Sequence, residues 1–210
     1  MTSLALVFPA RIDLFGDPKT LWFINRATGL VLLVLLTIVL VFGVLAARKS
    51  AGGKLPRFVS NEVHRGIALT AVIFLAIHVI SAVLDDFVSI DLINIVVPWG
   101  SGWKPVWIGF GAVAVDLLIA VIVTSLLRNR MPESTWRLIH LSVFAMWPIA
   151  WIHALGSGTD AKSPAYLALS IVCALAVLAA ALLRWFKPEP VPVPQEETRG
   201  TRSAHDGSSW

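Results

Sequence analysis

The sequence predicts an all-α, polytopic membrane helical bundle of about five transmembrane helices, with the N-terminus outside and the C-terminus cytoplasmic. Three observations predict it. Of the 210 residues, 57% are hydrophobic and only 14% are charged, where a soluble domain carries about 25% charged residues. The apolar residues gather into five runs, each close to the roughly 20 residues that cross a bilayer. Basic residues concentrate in alternate connections, as the positive-inside rule requires.

The elements follow in chain order. The opening "MTSLALVFPARIDLF" has neither a basic region ahead of its apolar stretch nor a small-residue cleavage site, so residues 1–20 are expected to be an extracytoplasmic segment and not a cleaved signal peptide. The expected spans are 21–47, 63–84, 106–127, 136–155 and 164–186. The connection 48–62 carries Arg48, Lys49, Lys54 and Arg57, and the connection 128–137 carries Arg128, Arg130 and Arg137; both are expected on the cytoplasmic side. Asp85, Asp86, Asp91 and Asp160 mark the outward connections, and Arg184 and Lys187 close the last span inside. Residues 21–186 thus form the bundle. The remainder, 187–210, is rich in Pro, Glu, Ser and Gly and reads as a disordered cytoplasmic tail. His205 falls in that tail.

Composition excludes several functions. The formal charge of +4 comes from residues scattered in short loops, so no nucleic-acid partner is expected; the lipid bilayer is the expected surrounding. The one cysteine, Cys173, lies in an apolar run, which leaves no disulfide framework and no cysteine-ligated zinc or iron–sulfur site. No glycine-rich nucleotide loop follows a strand. FAD and NAD(P)H are therefore expected only through a separate partner.

Four of the five histidines fall in two spans: His64 and His78 in the second, His140 and His153 in the fourth. Both spans run in the same direction, and spacings of 14 and 13 residues correspond to about 21 and 20 Å of rise. The imidazoles therefore occupy two depths. Two imidazoles facing each other at one depth can supply both axial ligands of a haem iron; two levels imply two b-type haems and electron transfer, not oxygen binding. Fourteen residues return a helix to within about 40° of its starting direction, whereas thirteen miss by about 140°. Pro148, between His140 and His153, is expected to kink the helix and reset that direction. The competing reading is that each histidine bonds a carbonyl or hydroxyl in a packed bundle. Bare zinc is disfavoured by having only two ligands per level.

These residues resemble the ferric reductase and NADPH oxidase transmembrane-domain family. The likeness rests on the histidine set and on "LWFINRATGL", "AIHVISAVLDDF" and "VVPWGSGWKPVWIGFGAVAVDLL", most closely the small stand-alone bacterial form, and it extends over residues 21–186. The resemblance implies His64 with His140 as axial ligands of the inner haem and His78 with His153 as those of the outer one. It also implies an oxidoreductase component of the bacterial cytoplasmic membrane. The donor would be a cytoplasmic flavoprotein reductase or membrane quinol, and the outer acceptor ferric ion or a periplasmic protein. Larger members carry a C-terminal dehydrogenase and usually one more span, neither of which is found in these 210 residues. Two alternatives stand beside this reading: an electron-donor subunit for a periplasmic reductase, and a non-redox small transporter or metal permease.

Other residues bear on the site. Haem propionates want cations, and Arg26 is placed to serve the outer level, Arg65 and Arg137 the inner one; the last two read equally as topology signals. Asp116 lies near the middle of the third span, where a carboxylate is costly, and reads as a proton relay or as a neutral structural group. Gly109 and Gly111 permit close approach. Trp99, Trp103 and Trp107 read as an aromatic belt, and the apolar connection 85–104 as a lid over the outer haem.

Overall fold

A computed structural model describes residues 19–49, 57–85, 88 and 90–186. The expected N-terminal segment up to residue 18, residues 50–56 of the first basic connection, and the tail 187–210 lie outside the described residues. The helices are α1 (Thr20–Lys49), α2 (Arg57–Leu84), α3 (Pro105–Leu126), α4 (Glu133–Leu141), α5 (Val143–Ser157) and α6 (Pro164–Trp185). Short 3-10 turns occupy Leu92–Ile95, Arg128–Arg130 and Asp160–Lys162, and no strand occurs among the described residues. Five helical stretches are long and apolar enough to cross a membrane, α4 and α5 together making the fourth. The expected five spans are therefore present. Prolines begin α3 and α6, where a missing N–H costs nothing.

α1 is the organising helix. It packs against α2, α5 and α6, while α3 packs against α4 and α5. Its buried residues Leu32, Leu33, Leu36, Leu40 and Val44 meet Ala71, Met146, Trp147, Cys173 and Val177. Inside this apolar core the Trp147 indole N–H donates to Thr37 Oγ1 at 3.0 Å, and Thr37 donates to the Leu33 carbonyl at 2.8 Å, so these two side chains find internal partners in an interior that water does not reach. The Arg48 guanidinium donates to the Leu183 carbonyl and ties the ends of α1 and α6 together. Leu69, Leu126, Leu138 and Val172 are turned outward, the surface expected where hydrocarbon is the solvent.

The fourth span carries, besides Pro148, an interruption that the sequence does not announce. Pro148 is accommodated inside α5, and the break falls at Ser142, between α4 and α5. There the Ser142 N–H and hydroxyl both donate to the Ile139 carbonyl, at 3.0 and 2.6 Å. This tightens the last turn of α4, and Ser142 then starts α5 by accepting from Met146 N at 2.8 Å. Ser142 and Pro148 both lie between His140 and His153, where departures from regular helix change the direction that 13 regular residues would have given.

The connection between α2 and α3 folds over the bundle. Asp85, Val88, Ile90, Asn94, Ile95 and Trp103 line the cavity described below, as a lid would. Lys104 holds the end of this lid down by donating to the Gly156 and Ser157 carbonyls at 3.2 and 3.3 Å, where the last carbonyls of α5 lack helical partners. Trp99 and Trp107, expected as a belt, also make specific contacts: the Trp99 ring lies on Gly109, and a Cβ at Gly156 would collide with the Trp107 ring.

Candidate functional site: two facing histidine pairs

The helices bring the four histidines together as two pairs. His78 of α2 faces His153 of α5 with ring centroids 6.4 Å apart and planes at 85°. His64 of α2 faces His140 of α4 at 6.3 Å and 60°. The pairing is across helices and by depth. An imidazole nitrogen lies about 1.1 Å from its ring centre and metal–imidazole bonds are about 2.0 Å, so two coaxial imidazoles sharing a metal stand about 6.2 Å apart. Both pairs have the span to hold one metal ion between them.

At the His78 and His153 level the far side of each ring is tied down. His78 Nδ1–H donates to the Asn25 carbonyl at 3.0 Å, and His153 Nδ1–H donates to the Trp107 carbonyl at 2.7 Å. A carbonyl can only accept, so the His153 bond puts the proton on Nδ1 and keeps the Nε2 lone pair for a ligand, and at His78 Nδ1 the closer Asn25 carbonyl, 3.0 Å against 3.3 Å for Asn25 Nδ2, favours the same tautomer. Asn25 reinforces the arrangement, its Nδ2 donating to the His78 carbonyl at 2.7 Å. At the other level His64 Nδ1 and His140 Nδ1 are buried with no hydrogen-bond partner among the described residues. The two levels therefore differ in what fixes the rings.

Glycines make room for three of the four rings. A Cβ at Gly29 would come within 2.9 Å of His78, one at Gly43 within 3.2 Å of His64, and one at Gly111 within 2.7 Å of His153. No glycine backs His140 among the described residues; Trp136 stacks on it instead, at 4.9 Å and 25°.

A cavity of about 580 Å³ opens beside the His78 and His153 pair, bounded by α1, α2, α3, α5, α6 and the lid. Arg26 lines it, with Nε donating to Asp160 Oδ2 at 3.2 Å and the guanidinium 5.4 Å from the Trp22 ring centre. Tyr166 and Ser163 line it as well. The expected cations Arg65 and Arg137 are exposed and do not line this cavity, and Asp116 is half-buried in α3, outside its lining. No group of three or more His, Cys, Asp or Glu side chains able to hold a metal comes together among the described residues. Each level thus offers two imidazoles, and a ligand that supplies its own in-plane donors suits such a pair.

Sequence reasoning missed Asn25, the Trp107 carbonyl, Gly29, Gly43, Trp136 and Asp160. One signal was available: Gly29 and Gly43 are 14 residues apart, the same interval as His64 and His78. On two packed helices of opposite direction, equal intervals let both contacts form at once.

A family model described as "Ferric reductase like transmembrane component" matches residues 28–151, more than half of the chain. The match contains His64, His78 and His140, and His153 lies just beyond its end. No curated protein and no solved structure compared with the chain matches it. With five membrane-spanning helices and this match, the chain belongs to the ferric reductase like transmembrane component family, a multi-pass membrane protein with the electron-transfer role that the family implies.

Proposed function

We propose that the protein is a di-haem b-type cytochrome that moves electrons across the bacterial cytoplasmic membrane. The observation that carries this reading is the equal spacing of the two facing pairs, 6.3 and 6.4 Å between ring centroids, at two depths of one bundle. His64 and His140 would hold one haem at the inner level, and His78 and His153 the other at the outer. A haem at each level would supply one-electron chemistry.

The chain's own residues do the rest. The Asn25 and Trp107 carbonyls hold the protons of His78 and His153 on Nδ1 and aim Nε2 inward. Gly29, Gly43 and Gly111 let the neighbouring helices approach the rings. Arg26 stands on the outer cavity with a guanidinium that can pair with a propionate while Asp160 holds it in place. Arg65 and Arg137 remain candidates for the inner level, where they are free to turn toward an anion. Asp85, Asn94 and Trp103 of the connection between α2 and α3 line the outer cavity, and in this reading an outer acceptor would approach past them.

The electron donor in this reading is a cytoplasmic flavoprotein reductase, which would bring FAD and NAD(P)H, or membrane quinol. The acceptor is ferric ion or a periplasmic protein. The deciding experiment is a reduced-minus-oxidised absorption spectrum of the purified membrane protein with a haem-to-protein ratio. Sharp reduced bands with two haems per chain are expected. A protein purified from haem-replete membranes without such bands would overturn the reading and favour a permease.

A further inference from the structure

We propose that Trp136, clamped by Arg128, is the positioning residue that sets the orientation of the His140 ring. The proposal deepens the di-haem reading and rests on it.

His140 is the ligand with the least support of the ordinary kind. Its Nδ1 has no hydrogen-bond partner among the described residues, unlike those of His78 and His153. No glycine notch receives its ring, unlike those of His64, His78 and His153. It also lies in the last turn of a helix of nine residues, two positions before the break at Ser142.

Trp136 supplies what is missing. One turn earlier on α4, its indole stacks on the imidazole with centroids 4.9 Å apart and planes at 25°; positions four apart share a helix face. The Arg128 guanidinium lies 4.2 Å from the centre of the same indole. Both groups therefore pack against the same indole. Arg128 begins the turn between α3 and α4, and its permanent charge makes it a strong cation–π partner. A chain of ring contacts thus runs from that connection through the indole to His140.

With one ring nitrogen bound to iron, the freedom left to His140 would be rotation about the metal–nitrogen axis. An indole parallel to the imidazole restricts this rotation, and the angle between the two ligand planes governs the g-anisotropy of ferric low-spin iron. That gives a readout that simple packing would not move selectively.

The test uses the full chain in detergent, with haem-to-protein ratio and electron paramagnetic resonance of the oxidised protein. His140→Ala first identifies which of the two low-spin signals belongs to its level. Trp136→Leu is expected to retain two haems and shift the largest g-value of that signal alone. Trp136→Phe, which keeps a stacking ring, is expected to leave it near the native position, and Arg128→Gln to broaden or shift it. Unchanged signals in Trp136→Leu, or a shift in the signal that His78→Ala removes, would overturn the proposal. If Trp136→Leu lost one haem outright, a normal signal in Trp136→Phe would support positioning, and the same loss in both would overturn it. A native protein that bound no haem would instead bring down the di-haem reading beneath it.

Discussion

Gly29 of α1 lies directly against the ring of His78: a Cβ there would come within 2.9 Å of Cε1 and 3.1 Å of Nδ1. Nδ1 is the atom that bonds the Asn25 carbonyl, so the notch and the hydrogen bond act on the same ring. Gly29→Ala is expected to push the imidazole off its carbonyl and to lower or abolish the redox component of the His78 and His153 level, leaving the other intact. Gly43→Ala, where the clearance to His64 is 3.2 Å, should have a smaller effect on the other component. Haem content and potentiometric titration of the two variants make the comparison.

The ligand pairs should behave as levels and not as helices. Replacing His64 or His140 with alanine removes one axial bond from the same iron, so the two variants should lose the same component; His78→Ala and His153→Ala should lose the other. If His64→Ala instead matched His78→Ala in a redox titration, the cross-helix pairing would be wrong.

Charge at the outer cavity should set a potential with a definite sign. Arg26→Leu removes a cation beside the His78 and His153 level, stabilises the oxidised state, and lowers that component's potential more than the other's. Asp160→Asn removes the partner anion and should raise it, by less, because the Asp160 side chain is 55% exposed and solvent screens it. Equal shifts of both components would place Arg26 outside the site.

The core hydrogen bond between Trp147 and Thr37 has a structural role. Thr37→Val leaves the buried Trp147 N–H without its 3.0 Å acceptor and should destabilise the protein by about 1 kcal/mol. Trp147→Ala also opens a cavity in the packed interior and should cost about 3–5 kcal/mol. Thermal unfolding in one detergent, followed by loss of helical circular dichroism, gives the ranking.

Topology decides which level is inner. A reporter active only in the cytoplasm is expected to work when fused after Trp210 and to stay silent when inserted in the turn Leu92–Ile95. The reverse pattern would exchange the inner and outer assignments and reverse the electron path.

What the sequence determined by itself was the set of spans and the two depths of histidine. Both are one-dimensional properties: an apolar run of sufficient length crosses a bilayer whatever its neighbours do, and rise per residue converts 14 and 13 positions into similar depths. Which way each ring points was not contained in that arithmetic. The fourth span carries both Pro148, inside α5, and a break at Ser142 between its two histidines, and the tightening bonds to the Ile139 carbonyl come from a serine that the sequence pattern does not single out. The Asn25 and Trp107 carbonyls, the glycine notches and the Trp136 stack were decided only by the tertiary structure. They depend on the rotation and closeness of helices far apart in sequence, and on backbone oxygens, which every residue carries and no residue type announces.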